Sequence, residues 1–173
     1  MRKLIRLLVL AMAVALGAGC AKMPQSAYTP QSVYRTHGSM AIGTFTYVAP
    51  SNKQDKIKTS GGWVVFHDEL PIADYIKRAN ILEAENCGIK VVKNSDILLS
   101  ASIERLEIRD FGFSADIFYT VKYTAFKDGN KNFYIYRIQR TGVEKTPSLY
   151  IEKINTMISE SFEKLLKDLK LNS

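Results

Sequence analysis

The side chains that could do chemistry are few and lie far apart. The chain holds two cysteines, Cys20 and Cys87, and two histidines, His37 and His67. His67 stands in the run His67-Asp68-Glu69, and an imidazole within reach of a substrate proton could act as a general base. A zinc site needs three or four converging ligands, and one histidine with loop carboxylates does not supply them. His67 therefore reads as a surface or helix-entry residue, and His37 as part of a polar stretch. Gly61-Gly62 lacks the Lys-Ser/Thr that follows the glycines of a phosphate loop. Asp128-Gly129-Asn130 lacks the further oxygen ligands of a calcium loop. The expectation is a protein without catalytic residues, metal or cofactor, that is, not an enzyme.

Cys20 is set apart by what precedes it. Met1-Arg2-Lys3 and Arg6 are followed by a wholly apolar run, Leu7 to Leu16, and then by Gly17-Ala18-Gly19-Cys20. Positive charge, a short apolar run and small residues are the layout of a secretory signal peptide. The run is shorter than the ~20 residues that span a bilayer. Ala18-Gly19-Cys20 resembles the lipobox of bacterial lipoproteins. The resemblance implies cleavage before Cys20, a diacylglycerol thioether on its sulfur and acylation of the freed amine. One acyl chain holds a protein only marginally, and two or more hold it firmly. Ala21 in place of Asp after the cysteine implies the outer membrane as the address, on its periplasmic side.

That processing changes the composition. The formal charge of +7 loses Arg2, Lys3 and Arg6, leaving 21 basic against 17 acidic side chains, or +4. The remainder is spread along the chain, so it is no nucleic-acid footprint. A lipidated Cys20 also leaves Cys87 without a disulfide partner, so Cys87 reads as a small packed residue.

The elements follow from periodicity. Residues 20–39 read as the lipidated cysteine and a flexible tether, because Pro24, Pro30 and several Ser and Gln interrupt any pattern. Residues 40–173 read as one α+β domain. Met40 to Val48 fits a strand buried on both faces, and Ala49 to Gly62 a polar connection. Pro71 to Asn86 reads as a helix, with Pro71 in its first turn and Gly88 closing it in a left-handed conformation. Ile89 to Val92 reads as a short strand. From Asp96 to Arg109, Ile97, Leu99, Ala101 and Ile103 share one strand face, while Leu106 and Ile108 fall on the opposite parity. An extra residue near Glu104-Arg105, a β-bulge, returns them to the same face. After a turn at Phe111-Gly112-Phe113, Ala115 to Ala125 alternates strictly. Asp128-Gly129 marks a two-residue hairpin that pairs Tyr123 with Tyr134, Val121 with Tyr136 and Tyr119 with Ile138. Pro147 to Lys170 reads as a second helix, with Ile151, Ile154, Ile158, Phe162, Leu165 and Leu169 in one stripe. The sum is a two-layer domain, a mainly antiparallel sheet with two amphipathic helices on one face. Phe118, Phe126, Phe133 and Ile135 then point to the other face, either as a partner surface or beneath the tether or the 49–62 connection.

Gly61-Gly62, the run Leu70-Pro71-Ile72-Ala73-Asp74-Tyr75-Ile76, Ala79, Glu83 and Gly88 resemble the first-helix segment of YajG-like lipoproteins. Those are similar in outline to auxiliary lipoproteins of ABC-type transport systems. The resemblance implies a small outer-membrane lipoprotein and fixes no functional residue. The leading expectation is a membrane-anchored, non-catalytic accessory module that binds an envelope protein or transport component. An immunity- or inhibitor-type lipoprotein acting on a periplasmic toxin or hydrolase is the second, and a periplasmic hydrolase using His67 the third. Cys20→Ala is expected to abolish incorporation of labelled palmitate, and label persisting in that variant would refute the lipobox.

Overall fold

The structure, a computed structural model, describes residues 27–48, 53–67 and 70–171. Residues 1–26, which include the expected signal peptide and Cys20, lie outside the described residues. Among those described, seven strands form one mixed sheet and two helices cover one face of it, the expected two-layer α+β architecture. The strands are β1 (Gly38–Tyr47), β2 (Lys56–Thr59), β3 (Gly62–Val65), β4 (Ile89–Val91), β5 (Ile97–Phe111), β6 (Ser114–Lys127) and β7 (Asn130–Glu144). The helices are α1 (Ile72–Asn86) and α2 (Pro147–Asp168).

The long pairings are antiparallel. β5 pairs β6 from Ile97↔Lys127 to Phe111↔Ser114, and β6 pairs β7 across Asp128-Gly129. The hairpin register is the expected one: Tyr123↔Tyr134, Val121↔Tyr136 and Tyr119↔Ile138. Asp128 and Gly129 both have positive φ, 52° and 75°, the backbone of a primed two-residue turn. The bulge is also where the parity break puts it. Ile103 pairs Val121 and Arg105 pairs Thr120, so Glu104 is the extra residue. Ile97, Leu99, Ala101, Ile103, Leu106 and Ile108 are consequently all buried on one face.

The sheet is mainly antiparallel, as expected, with parallel pairings of β1 to β4 and β5 and of β2 to β5 at its other side. Two expectations need correction. Residues 49–62 are not wholly a connection, because β2 lies within them and pairs β3 and β5. Its single inward apolar residue, the fully buried Ile57, is too little for periodicity to reveal. Finally, β1 is not buried on both faces. A register shift between Ile42 and Phe45 breaks its alternation and imitates a continuous apolar run, yet Thr44 and Thr46 are exposed.

The helices lock onto the inner face through apolar stripes and one polar junction. The α2 stripe from Ile151 to Leu169 is buried throughout, as are Ile72, Ile76 and Ala79 of α1. Burying each large side chain contributes ~1.5–3 kcal/mol. At the junction, the buried Tyr123 hydroxyl of β6 donates to Asn80 Oδ1 of α1 at 2.9 Å and lies 3.2 Å from Ser161 Oγ of α2. Asn80 Nδ2 in turn donates to the Ile76 carbonyl, and Ser161 Oγ to the Ile158 carbonyl. One phenol thus ties the sheet to both helices. Tyr123→Phe is expected to cost ~1–3 kcal/mol by leaving the Asn80 carbonyl unpaired in the core, read as a lowered urea midpoint with an unchanged slope.

Candidate functional surfaces

Two regions stand out from this framework, one over the helix layer and one on the far side of the sheet. The first is built by residues 27–36, which are not a free tether. They form a strap along the outer groove between α1 and α2. Glu83 of α1 is fully buried, and its carboxylate accepts the Tyr28 hydroxyl at 2.5 Å and the Gln31 and Ser32 N–H groups at 2.8 and 3.2 Å. A buried carboxylate needs such donors, because an unpaired one forfeits several kcal/mol of hydration. Tyr28 is itself buried, edge-on to Tyr75, and its phenol pKa is pushed up by that burial and then by the Glu83 carboxylate.

The strap runs in the same direction as α2. Gln31 accepts the Thr156 hydroxyl, Ser32 Oγ donates to Glu163, and Thr36 Oγ1 donates to the Leu171 carbonyl. The strap closes on the end of α1, where the Thr36 N–H donates to the Cys87 carbonyl at 2.8 Å. Gly88 follows with φ +94°, and a Cβ there would stand 2.5 Å from the Thr36 carbonyl oxygen. Only glycine meets both conditions. Residues 27–36 therefore belong to the folded domain and not to the tether expected to run to residue 39. Polar composition suggested a solvated chain, but its polar groups are satisfied by Glu83, Glu163 and the helix ends.

The second region is the outer face of the sheet. The strap lies on the helix side, and β2 and β3 extend the sheet in its own plane. Among the described residues neither covers the outer face, contrary to the alternative that the tether or the 49–62 connection does. Cross-strand pairing arranges it in rows: Leu98–Phe126–Lys131, Ser100–Thr124–Phe133, Ser102–Lys122–Ile135, Arg105–Thr120–Arg137 and Glu107–Phe118–Gln139. Phe126, Phe133 and Ile135 are 40%, 54% and 45% exposed, and with Leu98 they form an apolar patch near the β6–β7 turn. Lys122 and Lys131 stand over the Phe133 ring at 4.7 and 5.2 Å. Phe118 differs from the other three. It is half-buried beneath the Arg105 and Arg109 guanidiniums, 4.0 and 5.1 Å from its ring centre. Both arginines also bond Glu107. Burial alone would raise the Glu107 pKa, but the two guanidiniums outweigh it and hold the carboxyl below its usual value. The face thus combines exposed apolar area with cations fixed in place.

The chemistry-bearing residues do not converge. His67 is half-buried at the entry to α1, where its Nδ1 accepts the Leu70 N–H at 3.2 Å and its ring tilts against Tyr75. Its neighbours Asp68 and Glu69 lie outside the described residues. His37 is exposed just before β1. Cys87 is buried at the end of α1, and burial pushes its thiol pKa up, which disfavours the reactive thiolate. Among the described residues no three His, Cys, Asp or Glu side chains are grouped to hold a metal. Sequence reasoning missed the strap and its receptor Glu83. The one signal that pointed there was an acidic residue on the helix face otherwise made of Ile72, Ile76 and Ala79.

No family model and no curated protein matches this chain. Solved structures do match in fold. A Xanthomonas campestris protein described as DUF330 superposes with a TM-score of 0.62 at 13% identity, covering 84% of this chain and 91% of that one. An uncharacterized protein superposes with a TM-score of 0.61 at 8% identity, covering 88% of this chain and all of the other. A lipoprotein of Neisseria meningitidis matches more loosely, with a TM-score of 0.32 at 9% identity over 71% of this chain and 96% of its own. The first two superpositions show that the two-layer fold is shared with proteins of very different sequence.

If Glu83 is what holds the strap, Glu83→Gln should loosen it by ~1–3 kcal/mol, since an amide keeps one acceptor and turns a donor toward the strap N–H groups. Amide hydrogen exchange should then quicken at Gln31–Thr36 while β6 stays protected; equal protection of the strap in both proteins would refute the role.

Proposed function

We propose that this protein is a lipid-anchored accessory module of the bacterial outer membrane. It does no chemistry of its own and binds a protein partner of the cell envelope through its outer sheet face. The observation that carries the reading is that face. Its four apolar side chains, Leu98, Phe126, Phe133 and Ile135, are 40–54% exposed on a rigid antiparallel platform, ringed by Lys122, Lys131 and Arg137. Contiguous exposed apolar area of this kind marks contact surfaces, and fixed cations steer the approach of an acidic partner. The signal-peptide pattern and the Ala18-Gly19-Cys20 run support the anchor and the periplasmic side. The resemblance to YajG-like lipoproteins, and through them to auxiliary lipoproteins of ABC-type transporters, supports a transport or assembly complex as the setting.

A photo-crosslinking residue in place of Phe133 tests this in living cells, with one in place of the exposed Arg78 on α1 as the control. A single envelope protein is expected to crosslink from position 133 and not from 78, and Lys122→Glu with Lys131→Glu should reduce the yield several-fold. Equal crosslinking from both positions would sink the surface assignment. A toxin or hydrolase as the captured protein would establish the immunity reading instead.

A further inference from the structure

We propose that the β5–β6 turn, Phe111-Gly112-Phe113, is a membrane-contact tip that seats in the lipid leaflet holding Cys20. This rests on the lipid anchor proposed above. Phe113 is fully exposed and Phe111 57% exposed, on a tight turn whose Gly112 has φ +54°. Two rings held out by a rigid hairpin are costly in water, and each recovers free energy on entering an apolar phase. The turn is braced from below. The Asp110 N–H donates to Ser60 Oγ at 2.9 Å, and the Asp110 carboxylate accepts the Tyr150 hydroxyl of α2 at 3.3 Å. Lys145 Nζ lies 3.6 Å from the same carboxylate and offsets its charge at the base of the tip.

The direction in which the chain leaves the fold supplies the occupant. The strap runs parallel to α2, so traced backwards from Gln31 beside Thr156 it heads toward the start of α2, and Tyr150 in that first turn touches Asp110 at the base of the tip. From Thr156 to Pro147 is nine residues of helix, or ~14 Å. From Cys20 to Tyr28 is eight residues, at most ~29 Å when extended. The anchor therefore reaches the level of the tip with chain to spare. Reaching the outer sheet face would instead mean passing a helix layer ~10–12 Å thick, a sheet edge about two strand spacings (~10 Å) away, and the sheet itself. The tip, not the sheet face, is the apolar feature within easy reach of the lipid, which leaves the sheet face free for a protein.

The test uses the mature lipidated chain in vesicles of phosphatidylethanolamine and phosphatidylglycerol, with Trp63→Phe removing the native indole. Phe113→Trp should be quenched several-fold more by bromine-labelled lipid than Phe133→Trp on the sheet face. Replacing Phe111 by Ser in the Phe113→Trp protein should bring its quenching down toward that of the control. If the protein floats with the vesicles but Phe113→Trp is quenched no more than Phe133→Trp, the tip assignment is overturned and the anchor stands. A protein that does not float with the vesicles overturns the anchor, and the tip with it.

Discussion

The burial of Glu83 is the constraint on which the rest depends. A carboxylate with no solvent access must be met by donors, and helix α1 cannot provide them, because its own N–H groups are engaged along the helix. They come from the Tyr28 hydroxyl and from the backbone of Gln31 and Ser32. The surface of the helix pair is therefore complete only with the strap in place. A segment that composition alone would give to solvent becomes a third layer over α1 and α2. The course of residues 28–32 over the helix pair follows from that one buried carboxylate.

Beneath the strap, Tyr123 joins the sheet to both helices through Asn80 and Ser161, so the inner face is fully committed to the fold. Among the described residues, the outer face carries no such commitments. Its side chains contact one another, as guanidinium on phenylalanine and ammonium on phenylalanine, and the cation–π pairs contribute ~0.5–1 kcal/mol each at exposed sites. They restrain the cations without consuming the surface. The contrast is between a face committed to the fold and one left open to solvent.

Much of this was legible in the sequence, and the reasons for the exceptions are physical. The β6–β7 register could be read because strict alternation and an Asp-Gly turn constrain each other. The bulge at Glu104 could be read because only one extra residue returns Leu106 and Ile108 to the core. The α2 stripe could be read because it repeats over several turns. β2 could not, since one inward residue, Ile57, carries no period. The strap could not either, because it is held by hydrogen bonds to a charged residue distant in sequence and not by an apolar pattern of its own. The same holds for Phe118. Parity put it on the outer face correctly, but nothing local showed that Arg105 and Arg109, one strand away and beyond a bulge, would cover it. The outer patch of Phe126, Phe133 and Ile135 was visible as parity, and its exposure required knowing where the strap lies.

The lengthwise course of the strap along α2 also gives the domain a mechanical direction. Tension along the strap is borne by its contacts with the helices. A pull along the helix axis loads the contacts at Tyr28, Gln31 and Ser32 together, in shear. A pull outward from the helices would peel the same contacts away one at a time. The same hydrogen bonds therefore resist an axial load collectively and a transverse one singly. A load entering along the strap acts in the direction in which its attachment to the helices is strongest.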